Sequence, residues 1–101
     1  MVHKSQVKLS DVQQTIIDQL KALNRLFVID YGVKKIIAFP DGIRLYIGGR
    51  KVTNIDIKYD YGADLYNLEF HKLSHKTLET KTEKLKGIYV DQLDEIIRSK
   101  L

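Results

Sequence analysis

The spacing of apolar residues changes twice along the chain, from a helical period to strict alternation and back again. Val12, Ile16, Ile17, Leu20 and Leu23 follow at spacings of four, one, three and three, with Gln13, Gln14, Asp18 and Lys21 between them. That stripe predicts an amphipathic helix over about 10–24. Ser10-Asp11-Val12-Gln13 reads as its capping box, Ser10 accepting from the Gln13 amide, and Asp11 suits the helix dipole. Residues 1–9 are polar, basic and aperiodic, and are expected to form a flexible tail. Leu26-Phe27-Val28-Ile29 reads equally as a short strand or as an added helical turn, ended by Asp30-Tyr31-Gly32.

The middle of the chain alternates. Lys35–Phe39 leads into Pro40-Asp41-Gly42, where Pro fixes φ and Gly is expected in the left-handed region. Ile43, Leu45 and Ile47 then share one face, as do Thr53, Ile55, Ile57 and Tyr59, and again Tyr66, Leu68 and Phe70. The opposite face would carry Arg44, Tyr46, Asn54, Asp56, Lys58, Asn67, Glu69 and His71. Parity sends Tyr59 and Tyr66 inward and leaves Tyr61 at the turn. Residues 73–85, rich in Lys, Thr and Glu, fit an exposed edge strand whose lysines discourage pairing. Tyr89, Leu93, Ile96 and Ile97 return to helical spacing, predicting a helix over about 87–99. The expectation is one α+β domain over 10–101. An N-terminal helix, an antiparallel β-meander of four to five strands and a C-terminal helix follow in order, both helices on one sheet face.

A chain of 101 residues, 44% hydrophobic and 30% charged, fits such a domain. With no cysteine, disulfides, thiolate metal sites and cysteine nucleophiles are excluded. Apolar runs reach only four or five residues and the first residues lack a signal-peptide core, so a cytoplasmic location is expected.

The net charge of +4 permits contact with nucleic acid. Residues 72–86 hold five lysines against two glutamates, whereas residues 56–69 hold four carboxylates against Lys58. Thirteen lysines accompany four arginines, a balance that suits phosphate contact better than base reading. The nucleic-acid-binding candidates are Arg44, Tyr46, Arg50, Lys51, Lys58, Lys72, Lys76, Lys81 and Lys84, with Tyr46 as the stacking aromatic.

Other chemistry is sparse. Asp60-x-Gly62-x-Asp64 places two carboxylates about a glycine, but a hard cation wants six or more oxygens, and a turn with Gly62 at positive φ accounts for the pattern more simply. His71 and His75 lack a third ligand and read as solvated surface histidines. Ser74 and His75 are strand neighbours that point apart, and Gly48-Gly49 precedes no helix, so neither a catalytic dyad nor a phosphate loop is drawn. No cofactor, metal site or enzyme activity is expected.

Asp64-Leu65-Tyr66-Asn67-Leu68-Glu69-Phe70 and Gly87-Ile88-Tyr89-Val90-Asp91-Gln92-Leu93 resemble the landmarks of a family of small proteins encoded by bacteriophages, plasmids and integrated mobile elements. The similar order of elements covers residues 10–97. Members commonly continue into a Thr-Gly-Leu type ending, where this chain reads Arg98-Ser99-Lys100-Leu101. The resemblance implies a fold and a genetic setting, and brings no catalytic residue. Together these readings point to a small accessory protein that binds a protein partner or itself, with nucleic acid as the alternative.

Overall fold

The computed structural model describes residues 2–49, 51–74 and 76–101, with side chains described from residue 11 onward. Five strands form one antiparallel sheet in chain order: β1 (Lys35–Phe39), β2 (Gly42–Tyr46), β3 (Asn54–Asp60), β4 (Leu65–Leu73) and β5 (Thr80–Ile88). Helix α1 (Val2–Leu23) precedes them with the short α2 (Phe27–Tyr31), and α3 (Leu93–Lys100) follows after a 3₁₀ turn at Val90–Gln92. Helices α1 and α3 pack on each other, and α1 lies against β1 and β2. The α+β meander expected from the alternation is the observed fold.

The core lies between the helices and one sheet face. Ile16 and Leu20 of α1, and Leu93 and Ile97 of α3, are fully buried against Ile43, Leu45, Ile55, Ile57 and Leu68. Cross-strand partners point to the same side of an antiparallel pair, so Ile43↔Ile57 and Ile57↔Leu68 continue one apolar row across three strands. Tyr66 and Phe70 extend it along β4. A Gln13 Nε2 bond to the Phe39 carbonyl, at 2.7 Å, also ties α1 to the sheet, so Gln13 is not turned wholly to water as its polarity suggests.

Several local expectations change. The ambiguous stretch settles as helix over Phe27–Tyr31, with Leu26 as its N-cap: Phe27 and Tyr31, four apart, are buried together, and Gly32 caps the turn at φ 74°. Helix α1 is helical in its backbone from Val2, ahead of the expected start at Ser10, because no glycine or proline interrupts residues 2–10. Ser10 therefore sits inside the helix, and its side chain lies outside the described residues. Leu23 and Tyr89 are exposed, so each stands outside the stripe that their spacing suggested. Tyr89 is extended and precedes the 3₁₀ turn; its amide donates to Gln92 Oε1, and α3 begins only at Leu93.

Gly42 is required by space and not by φ. A Cβ there would lie 2.0 Å from the Ile57 carbonyl oxygen, on the neighbouring strand, and Gly42 has no positive φ. Among the described residues no helix is long and apolar enough to cross a membrane.

Candidate functional site

The β3–β4 turn, the flank of α1 and the β5–α3 junction enclose a groove of about 610 Å³. It holds four of the six tyrosines: Tyr59, Tyr61, Tyr66 and Tyr89. Val12, Thr15, Ile16 and Gln19 of α1 form one wall, Ala63, Asp64 and Leu65 lie on the turn side, and Asp11 and Val90 complete the lining. The volume falls within the range of pockets that hold small ligands or side chains.

The turn that shapes the groove is built by its aspartates. Asp60 Oδ1 accepts the amides of Gly62 at 3.0 Å and Ala63 at 3.3 Å, and the Asp64 amide donates to the Asp60 carbonyl at 2.8 Å. Left-handed backbone falls at Asp64, φ 55°, and not at Gly62. An aspartate can hold that conformation with local hydrogen bonds; here Asp64 Oδ1 accepts the Tyr59 hydroxyl. The Tyr66 hydroxyl donates to Gln19 Oε1 and so joins the sheet to α1. The Tyr59 ring stands edge-on to Tyr61, with centroids 4.7 Å apart, and tilted to Tyr66 at 5.4 Å. Tyr66 is buried and Tyr59 half-buried, whereas Tyr61 and Tyr89 remain 66% and 61% exposed.

The hydroxyls of Tyr59 and Tyr66 are held in the neutral form. The hydrogen bond to Asp64, followed by burial, pushes Tyr59 up to about 12, and burial followed by the charge of Asp64 raises Tyr66. Among the described residues the groove is lined by no histidine or lysine. Its lining combines apolar side chains with ring faces, hydroxyls and two carboxylates.

At the other end of β4 the surface is basic. Lys51, Lys72, Lys81 and Lys100 border a smaller cleft with Val52, Phe70, Thr82 and Glu83. Lys72 and Lys81 are cross-strand partners; Lys72 Nζ donates to the Gly49 carbonyl at 3.0 Å, and Lys100 pairs with Glu83 at 2.8 Å. Lys100 joins this group from the far end of the chain, a neighbour that no sequence spacing displays.

The sheet face away from the helices carries the expected polar row, closed upon itself. Arg44 holds Asp56 through two bonds, Nε to Oδ1 at 2.6 Å and Nη2 to Oδ2 at 2.9 Å, while its guanidinium lies over Phe39 and Tyr46 at 5.2 and 6.0 Å. Bidentate pairing of this kind fixes geometry as well as charge. His71 bridges Asp56 at 3.2 Å and the Thr82 hydroxyl at 2.9 Å. His71 is thus half-buried in a network and is not the solvated histidine that its outward position suggested; the cross-strand pairs Asn54↔His71 and His71↔Thr82 set it beside these partners. Lys58 meets Glu69 at 3.4 Å. Asp56 is only 2% exposed although no helix covers it. Burial pushes its carboxyl up, but the hydrogen bond and charge of Arg44, then those of His71, outweigh this and leave it below the usual carboxylate range.

Asp56, Glu69 and His71 bring ligand-type atoms within 4.8 Å of one another. Both Asp56 oxygens already serve Arg44, so a cation there would displace a bidentate ion pair.

The nucleic-acid candidates therefore divide. Arg44, Tyr46, Lys58 and Lys84 belong to the open face, with Arg44 and Lys58 ion-paired. Lys51, Lys72 and Lys81 meet at the basic cleft on the other side of the sheet. Lys76 is exposed in the β4–β5 connection. Arg50 and His75 lie outside the described residues. Comparison with protein-family models, with curated proteins and with solved structures finds no match to this chain.

Proposed function

We propose that this chain is a non-catalytic binding protein, a small accessory factor of the phage or mobile-element type, that receives a segment of a partner protein in the tyrosine groove. The carrying observation is the groove itself, where two large aromatic side chains stand mostly in water beside two that are anchored. Tyrosine combines a large contact area with few rotatable bonds, and it is enriched where proteins meet. The raised hydroxyls of Tyr59 and Tyr66 and a lining that, among the described residues, holds no histidine or lysine favour binding over catalysis.

Selection from a displayed library of random twelve-residue peptides tests this reading. Peptides are expected to enrich on the protein, to protect backbone amides of residues 61–65 and 89–90 from hydrogen exchange, and to lose binding to the Tyr61→Ala/Tyr89→Ala variant. No enrichment, or equal binding to that variant, overturns it.

Nucleic-acid binding is the second reading, favoured by the gathering of Lys51, Lys72, Lys81 and Lys100. Fluorescence anisotropy with single- and double-stranded oligonucleotides at about 50 mM salt, where non-specific electrostatics are strong, is its measurement. Binding that Lys51→Glu/Lys81→Glu abolishes supports it, and no binding at that salt removes it.

A further inference from the structure

We infer that the groove recognises a positively charged side chain, a lysine or arginine presented by the partner segment, whose cation rests among the faces of Tyr59, Tyr61 and Tyr89 and is countered by Asp11 and Asp64. The inference rests on the groove being a binding site and adds the chemical class of the group it holds. Three observations converge on it.

The first is the rings. An aromatic face carries negative potential and attracts an ammonium or guanidinium, and several rings about one space make a cage for such a group. Tyr61 and Tyr89 offer exposed rings on two sides of the groove, one from the β3–β4 turn and one from the β5–α3 junction. Tyr59 is oriented edge-on to Tyr61 and tethered through its hydroxyl to Asp64, which leaves its ring position set before any ligand arrives.

The second is charge. Asp11 and Asp64 line the groove, and among the described residues neither carboxylate forms an ion pair. Asp64 receives the Tyr59 hydroxyl on Oδ1, which leaves Oδ2 for a ligand. An anionic group would meet two carboxylates here, and a wholly apolar segment would strip water from them without replacing it. A long cationic side chain suits the whole lining: its methylene stem can lie along Val12, Ile16, Leu65 and Val90 while its charge meets the rings and the carboxylates.

The third is contrast. The chain is net positive at +4, and the cleft at the other end of β4 is bordered by four lysines. Of this cleft and the groove, the groove is the one that offers a basic partner both negative charge and aromatic faces, so electrostatic complementarity selects it as well as the ligand.

The test uses two small probes by NMR titration, N-acetyl-lysine-methylamide and its uncharged counterpart N-acetyl-norleucine-methylamide. The charged probe is expected to bind weakly, with Kd on the order of millimolar as befits a single side chain. It should bind about two- to fivefold more tightly than the neutral one, corresponding to one exposed cation–π contact. Shifts should localise to residues 61–65 and 89–90 and shrink as salt is raised. Tyr61→Ala and Asp64→Asn should each weaken the charged probe more than the neutral one, and because Tyr61 is largely exposed and gives up only its edge-on contact with Tyr59, its removal should lower the melting temperature by a few degrees without unfolding the protein. Equal binding of the two probes in the groove overturns the cation inference while leaving the peptide-binding reading standing. Enriched peptides that carry no basic residue do the same, whereas a failure of every peptide to bind removes the reading beneath it.

Discussion

Each face of the sheet buries a side chain at its centre, but by different means. On one face Ile57 and Leu68 are sealed by α1 and α3. On the other, Asp56 is sealed by its own neighbours, with Arg44 bridging it from β2 and His71 lying against it from β4. The first arrangement is non-directional and grows with area removed from water. The second depends on each partner being present, since a buried charge is tolerated only when it is paired and hydrogen-bonded. An open sheet face can therefore hold a dry centre without a second layer, provided that long side chains fold over it.

Truncation separates the two. Leu68→Ala removes a fully buried side chain at the centre of the covered face, and should cost about 2–5 kcal/mol in chemical denaturation. Asp56→Ala strands the Arg44 guanidinium and the His71 ring, but Arg44 is partly open to water and can recover some hydration. The expected loss is about 1–3 kcal/mol. A cost for Asp56→Ala below about 0.5 kcal/mol would erase the contrast and make the open face ordinary surface.

Acid sharpens the same comparison. The Asp56 carboxyl is held below its unfolded value, so the folded state binds its proton less readily than the unfolded chain does. Its contribution is present above the unfolded value, about 3.9, and is lost as pH falls through the depressed folded value. Denaturation of the wild type and of Asp56→Asn should therefore differ most near neutral pH and converge in strong acid. The effect of Leu68→Ala carries no such term from its own side chain, and should hold nearly constant over the same range.

The apolar half of this design was legible in the sequence, and the polar half only in outline. Strict alternation through Ile43–Ile47, Ile55–Tyr59 and Tyr66–Phe70 identified the covered face, because a strand turns successive side chains to opposite sides and a helix does not. The same parity put Arg44, Asp56 and His71 on the opposite face, but an outward aspartate reads as solvated, and its burial emerges only from strand register. Tyr89 shows the limit of spacing: four residues before Leu93 it fits a helical stripe, yet the chain there is extended, and the ring borders the groove. The groove draws on residues 11–19, 59–66 and 89–90, three stretches that meet only when α1 crosses the sheet. Asp60 was readable as a turn former, whereas the Tyr59–Asp64 bond, which fixes the groove's geometry, depends on the left-handed residue being Asp64.

The order of the strands has a bearing on how quickly the chain can find its structure. Every ladder joins neighbours in sequence, across connections at residues 40–41, 47–53, 61–64 and 74–79. Closing short loops costs little entropy, and chains dominated by local contacts fold faster than those that must pair distant segments. The exception is the docking of the helices, which sets α1 on the sheet and on α3 and so unites the two ends of the sequence. The conformational search is thus short-range throughout the sheet, and its one long step is the step that covers the apolar face and closes the core.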